Sequence, residues 1–356
     1  MSASASSASE AAGIASLSRP ALIADIGGTN ARFALTDLDA ATPDLHAVRT
    51  LPCCEYASLQ HAAEAYLGDL GVTPAQASIA VACPVDGDAI RLTNRAWAFS
   101  RRELQGVLGF ERLEVINDFG AVAWGVPALS ESEVVCLHGE PGLPQRGPVS
   151  VLGPGTGLGV ALLVGDAQRG WSVVETEGGH VSFAPIGEEE QKIQRWMNQR
   201  FGRTSNERLL CGVGLSHIDA ALRDPGTGPS PLGDSATVLR EPAAIVEAAL
   251  EGHDLNARRT LARFCSVLGS VAGDTALIHG AKSVMIAGGI VPRFVPFLQS
   301  SAFRERFLAK GRFAAYLEKV SIHVITHPQP GLLGAASALR QINNAPATGR
   351  REERTT

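Results

Sequence analysis

Two glycine-rich turns constrain the fold of this chain more than any other feature of its sequence. The first is Asp25-Ile26-Gly27-Gly28-Thr29-Asn30, and the second is Gly153-Pro154-Gly155-Thr156-Gly157-Leu158-Gly159. Each turn lies between two short apolar runs that are rich in β-forming residues, a pattern that predicts a β-hairpin. A dinucleotide-binding fold would instead place a helix directly after the glycines, so the sequence disfavours that fold.

The residue types in both turns are suited to binding phosphate. Glycines lack a Cβ and let backbone N–H groups approach an anion closely, and threonine hydroxyls add donors. One such turn is common in proteins, but two of them, with Asp25 at the start of the first, predict a clamp for nucleotide phosphates. We therefore expect Gly157→Val to weaken nucleotide binding far more than the binding of a second substrate. A third pair, Gly288-Gly289, follows a predicted strand. Its position is compatible with an adenine or ribose contact, but this segment alone favours an ordinary strand-to-helix turn.

Composition narrows the class of protein further. A chain of 356 residues predicts roughly two domains, and 45% hydrophobic residues are enough for sizeable cores. The net charge of −5 disfavours a nucleic-acid partner, which requires a basic face. No apolar run reaches the roughly 18 residues of a membrane span. The six cysteines show no C-x-x-C spacing, so we expect reduced thiols in a cytoplasmic protein rather than a zinc site.

The rest of the sequence predicts alternating strands and helices between two disordered tails. Residues 1–19 are rich in Ser and Ala, and the first basic residue is Arg19, so this tail lacks the charged start of a secretory signal. Residues 345–356 form the second tail. Apolar runs, capping residues and helical periodicity predict strands at 78–82, 113–116, 283–287 and 320–325, helices at 100–108, 187–201, 255–281 and 332–340, and a loop at 224–236.

Polar residues at the ends of two predicted elements are candidates for chemistry. Asn117-Asp118 ends a buried strand, where a carboxylate is well placed to take a proton from an attacking hydroxyl. The same dipeptide also suits an Asx turn that caps the next helix. Glu177-Gly178-Gly179-His180 can accept from and donate to vicinal hydroxyls, with the glycines exposing backbone and leaving space. A surface loop is the alternative there, and a metal site is disfavoured because no other Cys or His lies at ligand spacing.

With these motifs the chain resembles bacterial glucokinases of the hexokinase group, in the actin-like ATPase superfamily. The cysteine-rich zinc motif of the ROK sugar kinases is absent, so the resemblance is to the other glucokinase type. Cys211 and Val213 stand where relatives often carry Ser and Pro. The motifs run in family order over about residues 20–342, and they are 24–32, Ala82-Cys83-Pro84, Thr93-Asn94 with Trp97, 116–119, 153–159, 177–180, Ser205 with Glu207-Arg208, 286–293 and 331–334.

The resemblance implies a two-lobed α/β fold of the actin-like ATPase (ribonuclease-H-like) type with an interdomain cleft. It implies a small domain of residues 20–128 plus 327–344, a large domain of residues 129–326, and a homodimer. The implied reaction is ATP-dependent phosphorylation of D-glucose at the 6-hydroxyl, the entry step of glycolysis, with Asp118 as general base and Mg²⁺ held by Asp25 through water. The implied sugar ligands are Asn94, Asn117, Asp118, Glu177, His180 and Glu207. The implied ATP contacts are Ala24, Asp25, Ile26, Gly27, Gly28, Thr29, Gly153, Gly155, Thr156, Gly157, Gly288 and Gly289.

Three other functions are alternatives to this one. Within the enzyme class, a hexokinase of broader specificity is the alternative. A sugar-sensing regulator without catalysis would need a DNA-binding module, and the segment before Ala21 is too short and too polar for a helix-turn-helix. An actin-like filament or chaperone ATPase would not need the hydroxyl-binding set Glu177, His180 and Glu207.

Overall fold

The computed structural model describes residues 13–92, 97–224 and 239–344 of the chain. Asn94 and most of the predicted loop at 224–236 therefore lie outside the described residues. The chain divides into two compact units: unit 1 combines Met1–Ala128 with Gln329–Thr356, and unit 2 is Leu129–Pro328.

Unit 1 is built on a five-stranded mixed sheet in the order β3-β2-β1-β4-β7. Its first two strands form the predicted hairpin, with Asp25 directly opposite Arg32. Strands β1, β4 and β7 run parallel. The strands are β1 (Pro20–Ile26), β2 (Asn30–Asp37), β3 (His46–Pro52), β4 (Gln76–Val81) and β7 (Arg112–Asn117), while β5 (Ala89–Arg91) and β6 (Ala98–Ser100) form a separate small hairpin.

Both faces of this sheet are covered, which explains why its central strands are nearly continuous apolar runs. On one face Tyr66 of α1 stacks on Phe33 at 5.2 Å between ring centroids. On the other face the last helix packs Leu332 and Ala336 against Ala21 and Ile23. The helices of unit 1 are α1 (Leu59–Leu70), α2 (Arg101–Val107), α3 (Asp118–Gly125) and the last helix of the chain, α11 (Pro330–Asn344).

Unit 2 contains a six-stranded sheet in the order β11-β10-β9-β12-β13-β8. The second predicted hairpin is formed by β9 and β10, with Pro154 opposite Leu158. The strands are β8 (Val134–His138), β9 (Val149–Pro154), β10 (Leu158–Asp166), β11 (Gly170–Thr176), β12 (Ser283–Ile286) and β13 (Ser321–Ile325). The helices are α4 (Gly187–Phe201), α5 (Gly212–Arg223), α6 (Pro242–Glu251), α7 (Leu255–His279), α8 (Val295–Ser300), α9 (Phe303–Leu308) and α10 (Ala314–Leu317).

Helix α7 is the core helix of unit 2. Among the described residues it alone has the length and apolar composition of a membrane span, but 72% of its apolar window is buried within the protein. Its glycines serve close packing, because a Cβ at Gly273 would lie 2.5 Å from the carbonyl oxygen of Phe307, and one at Gly269 would overlap that of Phe303. Burial among protein side chains is typical of a core helix in a globular domain.

The segment after Gly288-Gly289 forms a 3₁₀ turn at Val291–Phe294, followed by α8. One predicted helix differs in detail from the structure. Helix α11 begins at Pro330, two residues before the predicted start, because proline suits the first turn of a helix, where its missing N–H costs nothing. All six cysteines are free thiols.

Candidate active site

The first glycine turn joins β1 to β2 through Gly27, Gly28 and Thr29. It is closed by the N–H of Gly27, which donates to the carbonyl of Asn30 at 3.0 Å. The N–H of Cys53 donates to the carbonyl of Thr29 at 2.9 Å and ties the turn to the neighbouring segment. A Cβ at Gly27 would meet only the Asn30 oxygen, at 3.5 Å, so the protein itself leaves this backbone accessible.

Asp25 lies at the end of β1, beside this turn. Its Oδ2 is 3.4 Å from Nη1 of Arg32, and about a fifth (21%) of its side chain is exposed. The first turn of α11 packs on the carboxylate, since a Cβ at Gly331 would lie 3.0 Å from Oδ2. Burial raises the pKa of Asp25, and the Arg32 guanidinium opposes that shift.

Asp118 lies where β7 ends and α3 begins. Ile26, Val81 and Asn117 are in register across the parallel strands, so Asp25 and Asp118 lie at the same edge of the sheet of unit 1. Asp118 is the first residue of α3, and its Oδ1 accepts the N–H of Phe119 at 2.8 Å. A carboxylate in the first turn of a helix is stabilised by the helix dipole.

Asn117 is the residue of the Asn117-Asp118 pair that caps α3. Its Oδ1 accepts the backbone N–H groups of Phe119 and Gly120, at 2.9 Å and 3.0 Å. Its Nδ2 donates to the carbonyl of Cys83 at 3.4 Å. Burial and the nearby charge of Asp118 raise the pKa of the Cys83 thiol, while the Arg101 guanidinium opposes that shift. The Asx-turn interpretation therefore describes Asn117, and it leaves a catalytic role for Asp118 open.

The second glycine turn is packed more tightly than the first. A Cβ at Gly153 would lie 2.6 Å from the carbonyl carbon and oxygen of Ala287, and a Cβ at Gly288, which has φ +90°, would overlap the carbonyl of Pro154. The predicted second and third glycine motifs therefore pack directly on each other. The N–H of Gly212, at the start of α5, also donates to the carbonyl of Gly155 at 2.9 Å. Protein packing by itself accounts for Gly153 and Gly288, whereas a Cβ at Gly289 would meet nothing within 4 Å.

Glu177, His180 and Glu207 form one cluster in unit 2. His180 lies between the two carboxylates, with its Nε2 3.7 Å from Glu177 Oε2 and its Nδ1 3.8 Å from Glu207 Oε1. The sequence predicted that Gly178 and Gly179 leave space for a ligand, and that prediction is wrong. A Cβ at Gly178 would lie 3.0 Å from Val160, and one at Gly179 would overlap the carbonyl of Leu158. The two glycines instead let this loop pack on β10, which fixes the backbone on either side of them.

A cavity of about 300 Å³ in unit 2 is lined by His180 and Glu207 of this cluster and by Thr156 of the second glycine turn. His217 on its wall has its pKa lowered by burial, and burial raises the pKa of the Cys211 thiol to about 11, so both are neutral near pH 7. The residues that line the cavity are Thr156, His180, Phe201, Arg203, Ser205, Glu207, Arg208, Cys211, Val213 and His217.

Two arginines, one in each unit, contact candidate site residues and were not predicted as functional residues. Arg203 donates from Nη2 to the carbonyl of His180 and, at 3.2 Å, to Oγ of Ser182, so it holds the His180 loop. No local pattern indicates this contact, because the partners are 23 residues apart. The pairing of Arg32 with Asp25 could have been predicted from the register of the hairpin, because pairing Ile26 with Ala31 places Arg32 opposite Asp25.

The chain is similar to known glucokinases. The glucokinase family model matches residues 22–342. The glucokinase of Chromohalobacter salexigens is 45% identical over 328 residues, which are 91% of this chain and 98% of that protein. The crystal structure of a glucokinase from an Antarctic psychrotroph is 36% identical, with a TM-score of 0.78 over 90% of this chain and 99% of that one.

A more distant structure extends the likeness in fold. A ROK family glucokinase from Streptomyces griseus, in complex with glucose and AMPPNP, has a TM-score of 0.61 at 20% identity, over 90% of this chain and 99% of that one. These likenesses confirm the predicted fold class, the α/β fold of actin-like ATPases. Because the family model spans nearly all of the described residues and relatives of this identity match nine-tenths of the chain, this protein belongs to the glucokinase family.

Proposed function

We infer that this protein transfers the γ-phosphoryl group of ATP to the 6-hydroxyl of D-glucose. One observation carries the inference beyond family membership: His180 and Glu207, which are suited to sugar hydroxyls, line the same cavity of unit 2 as Thr156 of a glycine turn suited to phosphate. A filament-forming or chaperone ATPase has no need of that combination. The Streptomyces griseus relative, which was crystallised with glucose and AMPPNP, supports the same pair of substrates.

We propose that Asp118 is the general base. The 6-oxygen attacks the γ-phosphorus, the bond between that phosphorus and the β-γ bridging oxygen breaks, and the hydroxyl proton passes to the Asp118 carboxylate. The products are glucose 6-phosphate and ADP. Support comes from the position of Asp118 at the strand edge that also carries Asp25, and from Asn117, which caps α3 and so leaves Asp118 unneeded as the cap.

We propose that Glu177, His180 and Glu207 bind the sugar hydroxyls. Carboxylates accept from O–H groups, and an imidazole between two carboxylates is held ready to donate or accept. The predicted sugar contacts of Asn94 and Asn117 remain predictions. For Asn117 we also propose a positioning role, which is supported by its cap at the start of α3, next to Asp118.

We propose that the two glycine turns bind the phosphates of ATP. Each turn carries an exposed threonine, Thr29 or Thr156, whose hydroxyl adds a donor to the backbone N–H groups. Asp25 suits Mg²⁺, because it is a partly exposed oxygen ligand and this ion keeps most of its water while binding one or two carboxylates and the substrate phosphates. When bound, Mg²⁺ would neutralise charge on the phosphate oxygens.

We also propose a cytoplasmic homodimer. Six free thiols are compatible with a reducing compartment, and the dimer is the expectation that the family resemblance carries. Sedimentation equilibrium across a hundredfold range of protein concentration should give twice the chain mass. The mass of a single chain over that range would reject the dimer.

The function is tested by a coupled assay on the purified full chain. Glucose, mannose, glucosamine and fructose are each offered with ATP and Mg²⁺, and ADP release is compared with formation of the corresponding sugar phosphate. We expect glucose to have the highest kcat/KM and ADP to match glucose 6-phosphate one to one. Comparable kcat/KM values for several hexoses would favour the broader hexokinase. Sugar binding without any turnover would favour the sugar-sensing regulator.

A further inference from the structure

Glu207 belongs to two features that the sequence treats as separate sites. Its Oε2 accepts the backbone N–H of Leu158, in the second glycine turn, at 3.0 Å. Its Oε1 is 3.8 Å from Nδ1 of His180, in the hydroxyl-binding cluster. The backbone N–H of Glu207 also donates to the carbonyl of Gly179 at 2.9 Å. One oxygen of this carboxylate is thus held by the turn, while the other belongs to the cluster.

Gly157 is required by this arrangement. The three heavy atoms nearest to a Cβ at Gly157 all belong to Glu207: the Cβ would overlap Oε2 and lie 3.2 Å from Cδ. The φ angle of Gly157 lies outside the left-handed region that favours glycine, so backbone conformation does not explain the residue. Space for the Glu207 carboxylate does explain it.

An added methyl group at this position has a predictable consequence. The atoms it would meet are the far end of a flexible side chain, so the carboxylate can move away at little cost to the fold. Moving it breaks the bond from the Leu158 N–H and carries Oε1 away from His180. The substitution therefore changes mainly the position of the Glu207 carboxylate.

We propose that Gly157 is a positioning residue for the sugar: by lacking a side chain, it keeps the Glu207 carboxylate within the hydroxyl-binding cluster. This inference rests on the proposed function, because it takes Glu207 to be a sugar ligand. It revises the expectation that Gly157→Val acts mainly on ATP. A substitution in a turn assigned to phosphate weakens sugar binding even when no nucleotide is present.

The test is calorimetric titration with glucose, without nucleotide, of the full chain and four variants. Glu207→Ala should raise the Kd for glucose about ten- to a hundredfold, because the hydroxyl loses a charged acceptor. Gly157→Ala should raise it about tenfold. Gly155→Ala is the matched control in the same turn, since its Cβ would meet nothing nearer than the Gly157 oxygen at 3.9 Å; its Kd for glucose should stay within about twofold. Adding Gly157→Ala to Glu207→Ala should have no further effect, because the shared group is already gone.

Each outcome separates the inference from the function on which it rests. If Glu207→Ala weakens glucose binding and Gly157→Ala does not, the inference fails and the sugar role of Glu207 stands. If the two effects multiply in the double variant, Gly157 acts independently of Glu207 and the inference also fails. If Glu207→Ala leaves the Kd unchanged, Glu207 is no sugar ligand, and that part of the proposed site falls with the inference. Thermal unfolding of each variant establishes that the binding data come from folded protein.

Discussion

In unit 1 the glycine turn after β1 has open space around Gly27, whereas in unit 2 the turn after β9 is enclosed by protein atoms at Gly153 and Gly157. The charged groups differ as well. Asp25 comes from the strand that leads into its own turn and faces Arg32, while Glu207 reaches the second turn from 49 residues beyond Leu158. The charged pair at the first turn is thus local in sequence, whereas the carboxylate at the second turn comes from a distant segment.

This difference shows that glycine can occur in a motif for at least two structural reasons. Gly153, Gly157 and Gly288 are glycines because another part of the protein occupies the space of a side chain. Gly27, Gly155 and Gly289 meet no such obstacle, so they are the better candidates for direct approach to phosphate or nucleoside. We propose that acidic groups of unit 1 perform the chemical step and that the cluster of unit 2 binds the sugar. Two of the four experiments below test that division, and the other two test the packing of the turns and the sensitivity of unit 2 to acid.

The largest effect is expected for Asp118→Asn. Asparagine is nearly isosteric and keeps the hydrogen bond from Phe119, but it takes no proton at neutral pH. The kcat should fall by roughly 10²- to 10⁴-fold while glucose affinity is largely kept. A coupled ATP assay and calorimetric glucose binding on the same sample measure both quantities. Near-normal turnover would mean that the base lies elsewhere and that unit 1 lacks the role given to it.

Asp25→Asn should weaken the binding of Mg·ATP and leave the binding of glucose unchanged. The change preserves the size of the side chain beside Gly331 but removes the charge proposed to hold Mg²⁺. We expect the KM for Mg·ATP to rise roughly ten- to a hundredfold and the Kd for glucose to stay unchanged. Asp39→Asn is the control, because Asp39 is another carboxylate of unit 1 paired with an arginine, Arg19, at 3.0 Å. An equal response of the two variants would remove Asp25 from the metal site.

Matched alanine substitutions test whether the two turns differ in packing. Gly153→Ala places a Cβ 2.6 Å from backbone atoms of Ala287 and should destabilise the fold by about 1–2 kcal/mol. Gly27→Ala places its Cβ 3.5 Å from the Asn30 oxygen, an ordinary contact, and should change stability by less than about 0.5 kcal/mol. Urea unfolding followed by circular dichroism gives both values. Equal losses would contradict the distinction between an open and an enclosed turn.

The smallest effect is expected for mild acid, which should lower the free energy of unfolding of unit 2. His323 in β13 is 1% exposed, neither ring nitrogen has a hydrogen-bond partner in the described chain, and burial lowers its pKa. The unfolded state then binds more protons, so stability is present above the ordinary histidine pKa of about 6.5 and declines as the pH falls below it. The pKa of His279 is lowered for the same reason.

The measurement is the urea midpoint at several pH values between 7.5 and roughly 5.5. His323→Leu should make the decline shallower, and His253→Gln, at an exposed position, should leave it unchanged. A decline of the same steepness in all three proteins would place the acid-sensitive groups elsewhere.

Much of the local structure was predictable because its causes are local. The hairpins followed from β-forming runs around short turns, and α4 followed from an acidic first turn, Glu188–Glu190, and Gly202 after its last residue. The sequence did not distinguish Asn117 from Asp118 as the capping residue, because asparagine and aspartate cap helices about equally well. The register of β7 decided between them by placing Asn117 one residue before the helix begins.

The sequence by itself determined the α/β class, the two glycine-rich hairpins and the resemblance to the glucokinase family. Those properties depend on residue type and short spacing, which a linear pattern records. Only the tertiary structure decided that Gly178 and Gly179 pack on β10, that Arg203 holds the His180 loop, and that Gly157 makes room for Glu207. Each of these depends on which atoms fill the space next to a residue, and those atoms come from segments that only folding brings together.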